Sequence, residues 1–219
     1  MSRPDNEPMA GRYMRTPSPI AAAFALSVVL CVGFCSMRLT AAENAVSAIM
    51  DLVVVEIRER HPPYERFCTD YNNECELTPP YRLEMTAQLL DLASRVNRTV
   101  NHDVIFSLDM TQYGEEEYWN YPDSGFGDCE DKSLEKRRRL VMKGISRGAL
   151  RMAIAHHRTH HTPHSVLLLE TSQGTYVLDT YTSRIKLWHE TPYNFEAREK
   201  PNGTWERFDQ QTWKFADVF

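Results

Sequence analysis

Cys129 sits between Asp128 and the pair Glu130-Asp131, after the run Tyr118-Trp119-Asn120-Tyr121-Pro122-Asp123-Ser124-Gly125-Phe126-Gly127. The glycines and proline make that run a loop. Asp128 is a favourable helix N-cap, and the polar-then-basic stretch from Glu130 to Lys143, closed by Gly144, reads as a helix. A cysteine at a helix N-terminus faces unsatisfied backbone N–H groups and the positive end of the dipole, so its thiolate forms more easily. That is the setting of a nucleophile, which needs a base and a group to orient the base. His164 opens the apolar run Ser165-Val166-Leu167-Leu168-Leu169, and Asp179 ends Thr175-Tyr176-Val177-Leu178. If Ser172 and Gln173 form a two-residue hairpin turn, His164 falls opposite Tyr181 and Asp179 opposite Val166. The two side chains then share a face as diagonal neighbours, roughly 7–8 Å apart at the backbone. A three-residue loop would place them on opposite faces. The expected constellation is Cys129–His164–Asp179, and its chemistry is acyl transfer through a thioester.

The rest of the chain must position these groups. With 219 residues and 42% hydrophobic side chains, one well-buried core is expected. Residues 43–60 suggest a helix, though Val53-Val54-Val55 would serve a strand as well, and Pro62-Pro63 ends the element. Pro79-Pro80 is expected to start a second helix from Tyr81 to Asn97, with Leu83, Ala87, Leu90 and Val96 as its core stripe. Val104 to Leu108 reads as a short strand or the end of the helical layer, and Asp109 to Glu117 as an acidic loop. After the Cys129 helix, Leu150, Met152 and Ile154 alternate as one face of a strand. The 164–181 hairpin and strands near 185–188 and 193–198 complete an antiparallel sheet behind N-terminal helices, an α+β layout.

Residues 1–42 differ in kind. Arg3, Arg12 and Arg15 precede the uncharged 16-residue run from Ile20 to Cys35, and Thr40-Ala41-Ala42 offers a cleavage site. This is the pattern of a secretory signal, short for a span of about 20 residues, with an uncleaved inner-membrane anchor as the alternative. The mature domain is then residues 43–219, in the periplasm. It keeps 21 of the 25 basic and 28 of the 30 acidic side chains, a balance that argues against a nucleic-acid partner.

Two of the five cysteines fall in the signal region, Cys68 and Cys75 lie close together, and Cys129 stands alone. A local Cys68–Cys75 disulfide is expected in an oxidising compartment, against two buried thiols on one helix face. His156-His157-x-x-His160-His161-x-x-His164 has spacings that could chelate a transition metal, but the segment joins two strands and reads as a solvated loop. Lys136-Arg137-Arg138-Arg139 reads as a solvated face that complements the helix C-terminal dipole. Asp128, Glu130 and Asp131 would cap the helix, yet as charges beside a thiol they oppose thiolate formation. A calcium ion would neutralise them.

Tyr118-Trp119, Pro122 and Gly125-x-Gly127-Asp128-Cys129-Glu130-Asp131 resemble the signature of the bacterial transglutaminase-like cysteine peptidases, the family of the LapG-like periplasmic proteases. The resemblance continues through Leu134-x-Lys136-Arg137, Ala149-Leu150-Arg151-Met152-Ala153, the His164 strand, Val177-Leu178-Asp179, Trp188 and Thr191-Pro192-Tyr193-x-Phe195. The chain has Lys132-Ser133 where the family has Tyr-Ala, Pro163 for Gly, Ser165 for Ala and Thr180 for Asn. The resemblance implies a papain-like, transglutaminase-like core and the triad Cys129, His164 and Asp179. It also implies calcium held at Asp128, Glu130 and Asp131, and a tryptophan, here Trp119, that can help hold the oxyanion. Its further implications are a cell-surface adhesin as substrate and an inner-membrane receptor, sensing a cyclic dinucleotide, as regulator. The expected function is an exported cysteine endopeptidase. The alternatives are an acyltransferase or amidase of the same core, or a metal-binding or adaptor protein with a silent triad.

Overall fold

The structure is a computed structural model that describes residues 52–208; the signal-type segment 1–42 and residues 43–51 of the expected first helix lie outside them. The elements in order are β1 (Val54–Arg58), α1 (Pro62–Asp70), α2 (Ala87–Asp103), β2 (Ile105–Phe106), α3 (Asp109–Gln112), β3 (Phe126–Gly127) and α4 (Cys129–Met142). Then come β4 (Leu150–His157), β5 (Pro163–Thr171), β6 (Gly174–Leu178), β7 (Lys186–Leu187), β8 (Tyr193–Glu199) and β9 (Trp205–Phe208). Seven strands make one sheet in the order β1-β9-β8-β4-β5-β6-β7, with each neighbouring pair antiparallel. β2 and β3 form a separate parallel pair. The fold is α+β, with helices against an antiparallel sheet.

β5 is the middle of the structure. All of its residues from His164 to Thr171 are buried, and its apolar run Val166-Leu167-Leu168-Leu169 is unbroken and not an alternation because both faces of the strand are covered. On one face, Leu167 and Leu169 pack with Met152, Leu150 and with Leu134 and Leu140 of α4. On the other, Val166 and Leu168 pack with Ala153, Ala155, Val177, Tyr193 and Phe195.

Several boundaries differ from those the pattern predicts. Val54–Arg58 is a strand, paired with β9. Pro62-Pro63 begins a helix instead of ending one, since proline at the first helical positions loses no hydrogen bond there. The second helix starts six residues later than expected, at Ala87. Leu83 exchanges backbone hydrogen bonds with the β5–β6 turn, donating to Glu170 and accepting from Ser172, and Thr86 Oγ1 caps the helix by accepting from Leu89 N–H. Its buried face is therefore Leu89, Ala93, Val96, Asn97 and Val100, while Leu90 is exposed.

The basic run of α4 is the largest departure. Lys136 and Arg137 are fully buried, not solvated. Arg137 Nη1 donates to Glu199 Oε2 at 2.8 Å, its Nη2 donates to Tyr64 Oη at 2.9 Å, and Tyr64 Oη donates to Glu199 Oε1 at 2.5 Å. A buried guanidinium is tolerated because its charge is paired and both of its terminal nitrogens donate, although its Nε is buried without a partner. This knot ties α4 to α1 and β8. The outer pair behaves as expected, with Arg138 and Arg139 both bonded to Glu135.

Candidate active site

The hairpin register is set by the two-residue turn at Ser172 and Gln173: Thr171 pairs with Gly174 and Leu167 with Leu178. His164 and Asp179 consequently lie on the same face, and His164 Nε2 meets Asp179 Oδ1 at 2.9 Å, both side chains being buried. Asp179 is heavily bonded. Its Oδ1 also accepts Tyr181 N–H at 3.0 Å, its Oδ2 accepts Tyr193 Oη–H at 2.7 Å, and its carbonyl accepts Asn101 Nδ2–H at 2.9 Å. Burial pulls this carboxyl up, but the hydrogen bond from His164, that ring's charge and the other two donors together hold it below the usual carboxylate range. His164 Nδ1 is buried with no hydrogen-bond partner.

Cys129 is the first residue of α4 and is partly exposed. Ser165 N–H, one residue after His164, donates to its Sγ at 3.4 Å. Ser133 Oγ, one turn along α4, bridges the carbonyls of Cys129 at 2.8 Å and Ser165 at 3.2 Å. The start of α4 is thus tied to the start of β5. Cys129 and His164 both line a cleft of ≈ 430 Å³, together with Trp119, Glu117, Glu130, His156 and Glu196.

The thiol itself donates to Glu130 Oε2 at 3.1 Å. Burial, then the charges of Glu130 and Asp128, push it well above its ordinary range, and Ser165 N–H offsets this only in part. Burial likewise raises Glu130 strongly and Asp128 to about 6. Among the described residues, one group of side chains has the spacing to hold a cation: Asp109, Asp128 and Glu130, with one oxygen of each within 4.8 Å of the others. Asp109 Oδ1 and Asp128 Oδ1 are buried without partners. Three hard oxygen donors, two of them orphaned, fit a calcium ion.

This set differs from the expected one. Asp131 is not in that group: its Oδ1 accepts Asn120 N–H at 2.8 Å, bracing the loop before Cys129, while its Oδ2 is buried without a partner. Gly127 is needed beside it, because a Cβ there would come within 2.8 Å of Asp131 Cβ. Asp109 takes the third place, from α3. Its separation of nineteen residues from Asp128 left no local signal.

Trp119 forms the cleft wall against His61, Tyr64 and Trp205, and its indole N–H points to Glu117 Oε2 at 3.4 Å. That bond commits the donor expected to face an oxyanion. The expected solvated histidine loop is also partly a strand. His156 is buried in β4 and its Nε2 meets Glu196 Oε2 at 3.0 Å, while the rings of His157 and His160 stack 4.6 Å apart. Cys68 and Cys75 form the disulfide, joining the end of α1 to the following helical turn.

A family model described as bacterial transglutaminase-like cysteine proteinase matches residues 57–213. Among solved structures, LapG of Legionella pneumophila in its EGTA-treated form is 21% identical, with a TM-score of 0.49 over 69% of this chain and 81% of that one. The calcium-bound form of the same protein is 22% identical, with a TM-score of 0.48 over 68% of this chain and 84% of that one. A search of curated proteins gives no match.

Proposed function

We propose, from the premise that this chain belongs to the bacterial transglutaminase-like cysteine proteinases and is a cysteine endopeptidase, that Cys129, His164 and Asp179 carry its reaction. The observation that supports this most is the His164–Asp179 contact. With Nε2–H donated to Asp179, the free lone pair of His164 is on Nδ1, the buried atom with no partner. Nδ1 takes the thiol proton as Cys129 Sγ adds to the peptide carbonyl, and returns it to the leaving amine. The oxyanion is held by backbone N–H groups at the start of α4. Water then cleaves the thioester with the same imidazole as base.

Calcium belongs at Asp109, Asp128 and Glu130. When bound it supplies positive charge beside the thiol, in place of the repulsion of uncompensated carboxylates. The residues do the remainder: Glu130 turned to a cation would no longer accept the thiol proton, and Asp128 would fix the turn that presents Cys129.

The site of action we propose is the periplasm. The Cys68–Cys75 disulfide and the secretory pattern of residues 1–42 support it. Among the described residues no helix is long and apolar enough to cross a membrane. The proposed substrate is a cell-surface protein such as an adhesin, under an inner-membrane receptor, and the support for both is the family resemblance. Mass spectrometry of cell-surface fragments, compared between cells making the parent protein and Cys129→Ala, tests the reading. New fragment ends that depend on Cys129 are expected. Identical fragment sets, or amine-capped acyl products in place of free carboxyl ends, would reject endopeptidase action at the surface.

A further inference from the structure

Tyr193 opens β8, two strands away from His164, yet it touches both of the residues that set the base. Its hydroxyl donates to Asp179 Oδ2 at 2.7 Å and its ring centroid lies 5.2 Å from that of His164. Room for this comes from the strand between them: Ala155 of β4 lies opposite His164 on one side and Phe195 on the other, and its methyl leaves the face clear. Tyr193 is 2% exposed, so water is no ready substitute as a donor. Burial and the neighbouring Asp179 charge raise its phenol, which keeps the proton in place.

We propose that Tyr193 is a positioning residue for the reaction: by holding Asp179 Oδ2 it keeps the carboxylate turned with Oδ1 toward His164 Nε2–H, and so keeps Nδ1 as the nitrogen that receives the thiol proton. A carboxylate can rotate about its Cβ–Cγ bond, and either oxygen can meet an imidazole. With Oδ2 held by Tyr193 and Oδ1 aligned by Tyr181 N–H, one orientation satisfies all the donors. Loss of the Tyr193 hydroxyl strands a buried charged acceptor, whose relief is rotation of the carboxylate or a shift of the imidazole proton. Tyr181, 66% exposed and stacked on His164 at 4.4 Å, covers the ring but leaves both Asp179 oxygens to their donors through its backbone alone.

The inference rests on the triad reading, and the test separates the two. Tyr193→Phe, Asp179→Asn and the double variant are compared in calcium-containing buffer, with fluorescent casein for kcat and KM and iodoacetamide for thiol reactivity. ¹⁵N NMR of histidine-labelled protein, with His164 assigned by its loss in His164→Gln, reports the tautomer. Tyr193→Phe is expected to lower kcat and thiol reactivity roughly tenfold with KM unchanged, and to turn a single Nε2–H form of His164 into a mixture. The double variant should be no slower than Asp179→Asn. A slow Asp179→Asn beside an unaltered Tyr193→Phe, or a Tyr193→Phe that melts earlier with tautomer and kcat unchanged, overturns the positioning role alone. Full activity in Asp179→Asn overturns the triad and the inference with it.

Discussion

Cys129 Sγ donates its proton to Glu130 Oε2, at 3.1 Å, and Glu130 belongs to the same carboxylate cluster that has room for a cation. Cys129, the proposed nucleophile, is thus coupled to the proposed ion site through one side chain. Without an ion, burial and the Glu130 and Asp128 charges keep the thiol protonated at neutral pH, so its alkylation by iodoacetamide should climb only at alkaline pH. Calcium should move that climb to lower pH and EGTA should reverse it, with magnesium a poor substitute because of its tighter octahedral shell. In chelator, Glu130→Gln should be alkylated faster than the parent, and it should no longer respond to calcium. Superimposable profiles in calcium and after exhaustive chelation, with no metal by elemental analysis, would reduce these carboxylates to structural groups.

Asp179→Asn is nearly isosteric but offers an amide where His164 Nε2–H needs an acceptor. Its turnover should fall on the order of 10³–10⁴-fold, as for a triad whose imidazole is left in the wrong tautomer. Cys129→Ala and His164→Ala should abolish turnover. Cys129→Ala should melt close to the parent, because the sulfur's contacts are two weak bonds. Residual activity at parent level in any of the three would sink the assignment.

Asp131 and Asp128 give the ion-free domain a pH signature. Burial raises Asp131 to about 8 and Asp128 to about 6, above their unfolded values. Between the unfolded and folded values the native state holds more protons than the unfolded chain, so stability falls as pH rises from about 4 through 8, by up to roughly 1.4 kcal/mol per pH unit for each proton. Melting in EGTA should be higher at pH 5 than at pH 8. Asp131→Asn keeps an acceptor for Asn120 N–H and should flatten the slope. A midpoint that rises over the same range would contradict this burial account.

How much of this was legible beforehand depended on whether the signal was local. The His164–Asp179 pairing follows from a two-residue turn and period-two alternation, so sequence spacing carried it. The helix at Cys129 was equally local, with Asp128 at the N-cap position, although its side chain makes no cap bond, and a terminating Gly144, whose φ of 86° suits glycine. Asp109, Tyr193 and Glu199 were not legible in their roles, because each reaches its partner from a different element. Lys136 and Arg137 depart from the pattern for the same reason: a run of cations reads as a wet surface, and the groups that receive it, Glu199 and the Leu178 carbonyl, come from other elements. The start of α2 was masked by Pro79-Pro80, a stronger local signal than the Thr86 cap that governs it.

The Cys68–Cys75 bridge closes an eight-residue loop that ends beside Glu74, which holds Tyr121 Oη and Arg147. Cys68→Ser with Cys75→Ser should lower stability by about 2–3 kcal/mol by the loop-closure estimate, measured by urea unfolding. Unchanged stability would mean the bridge serves neither the fold nor the loop.

Export has its own readout. A chain recovered from the periplasmic fraction should begin near Glu43, be two hydrogens lighter than its reduced form, and alkylate at Cys129 without reductant. Recovery of the full-length chain from the membrane fraction would support the anchor instead.

Arg137 lies eight residues on from Cys129 in the same helix, which is about 12 Å along the axis. Its bonds to Glu199 and Tyr64 anchor the helix at that point, as the Ser133 and Ser165 bonds anchor its start. A tilt of about 5° there would swing Cys129 by roughly 1 Å, a displacement that can cost on the order of a hundredfold in rate. The aim of Cys129, the proposed nucleophile, therefore depends also on a buried ion pair outside the residues that line the cleft. Drift at Arg137, Glu199 or Tyr64 would misdirect the reaction while leaving every group in the cleft intact.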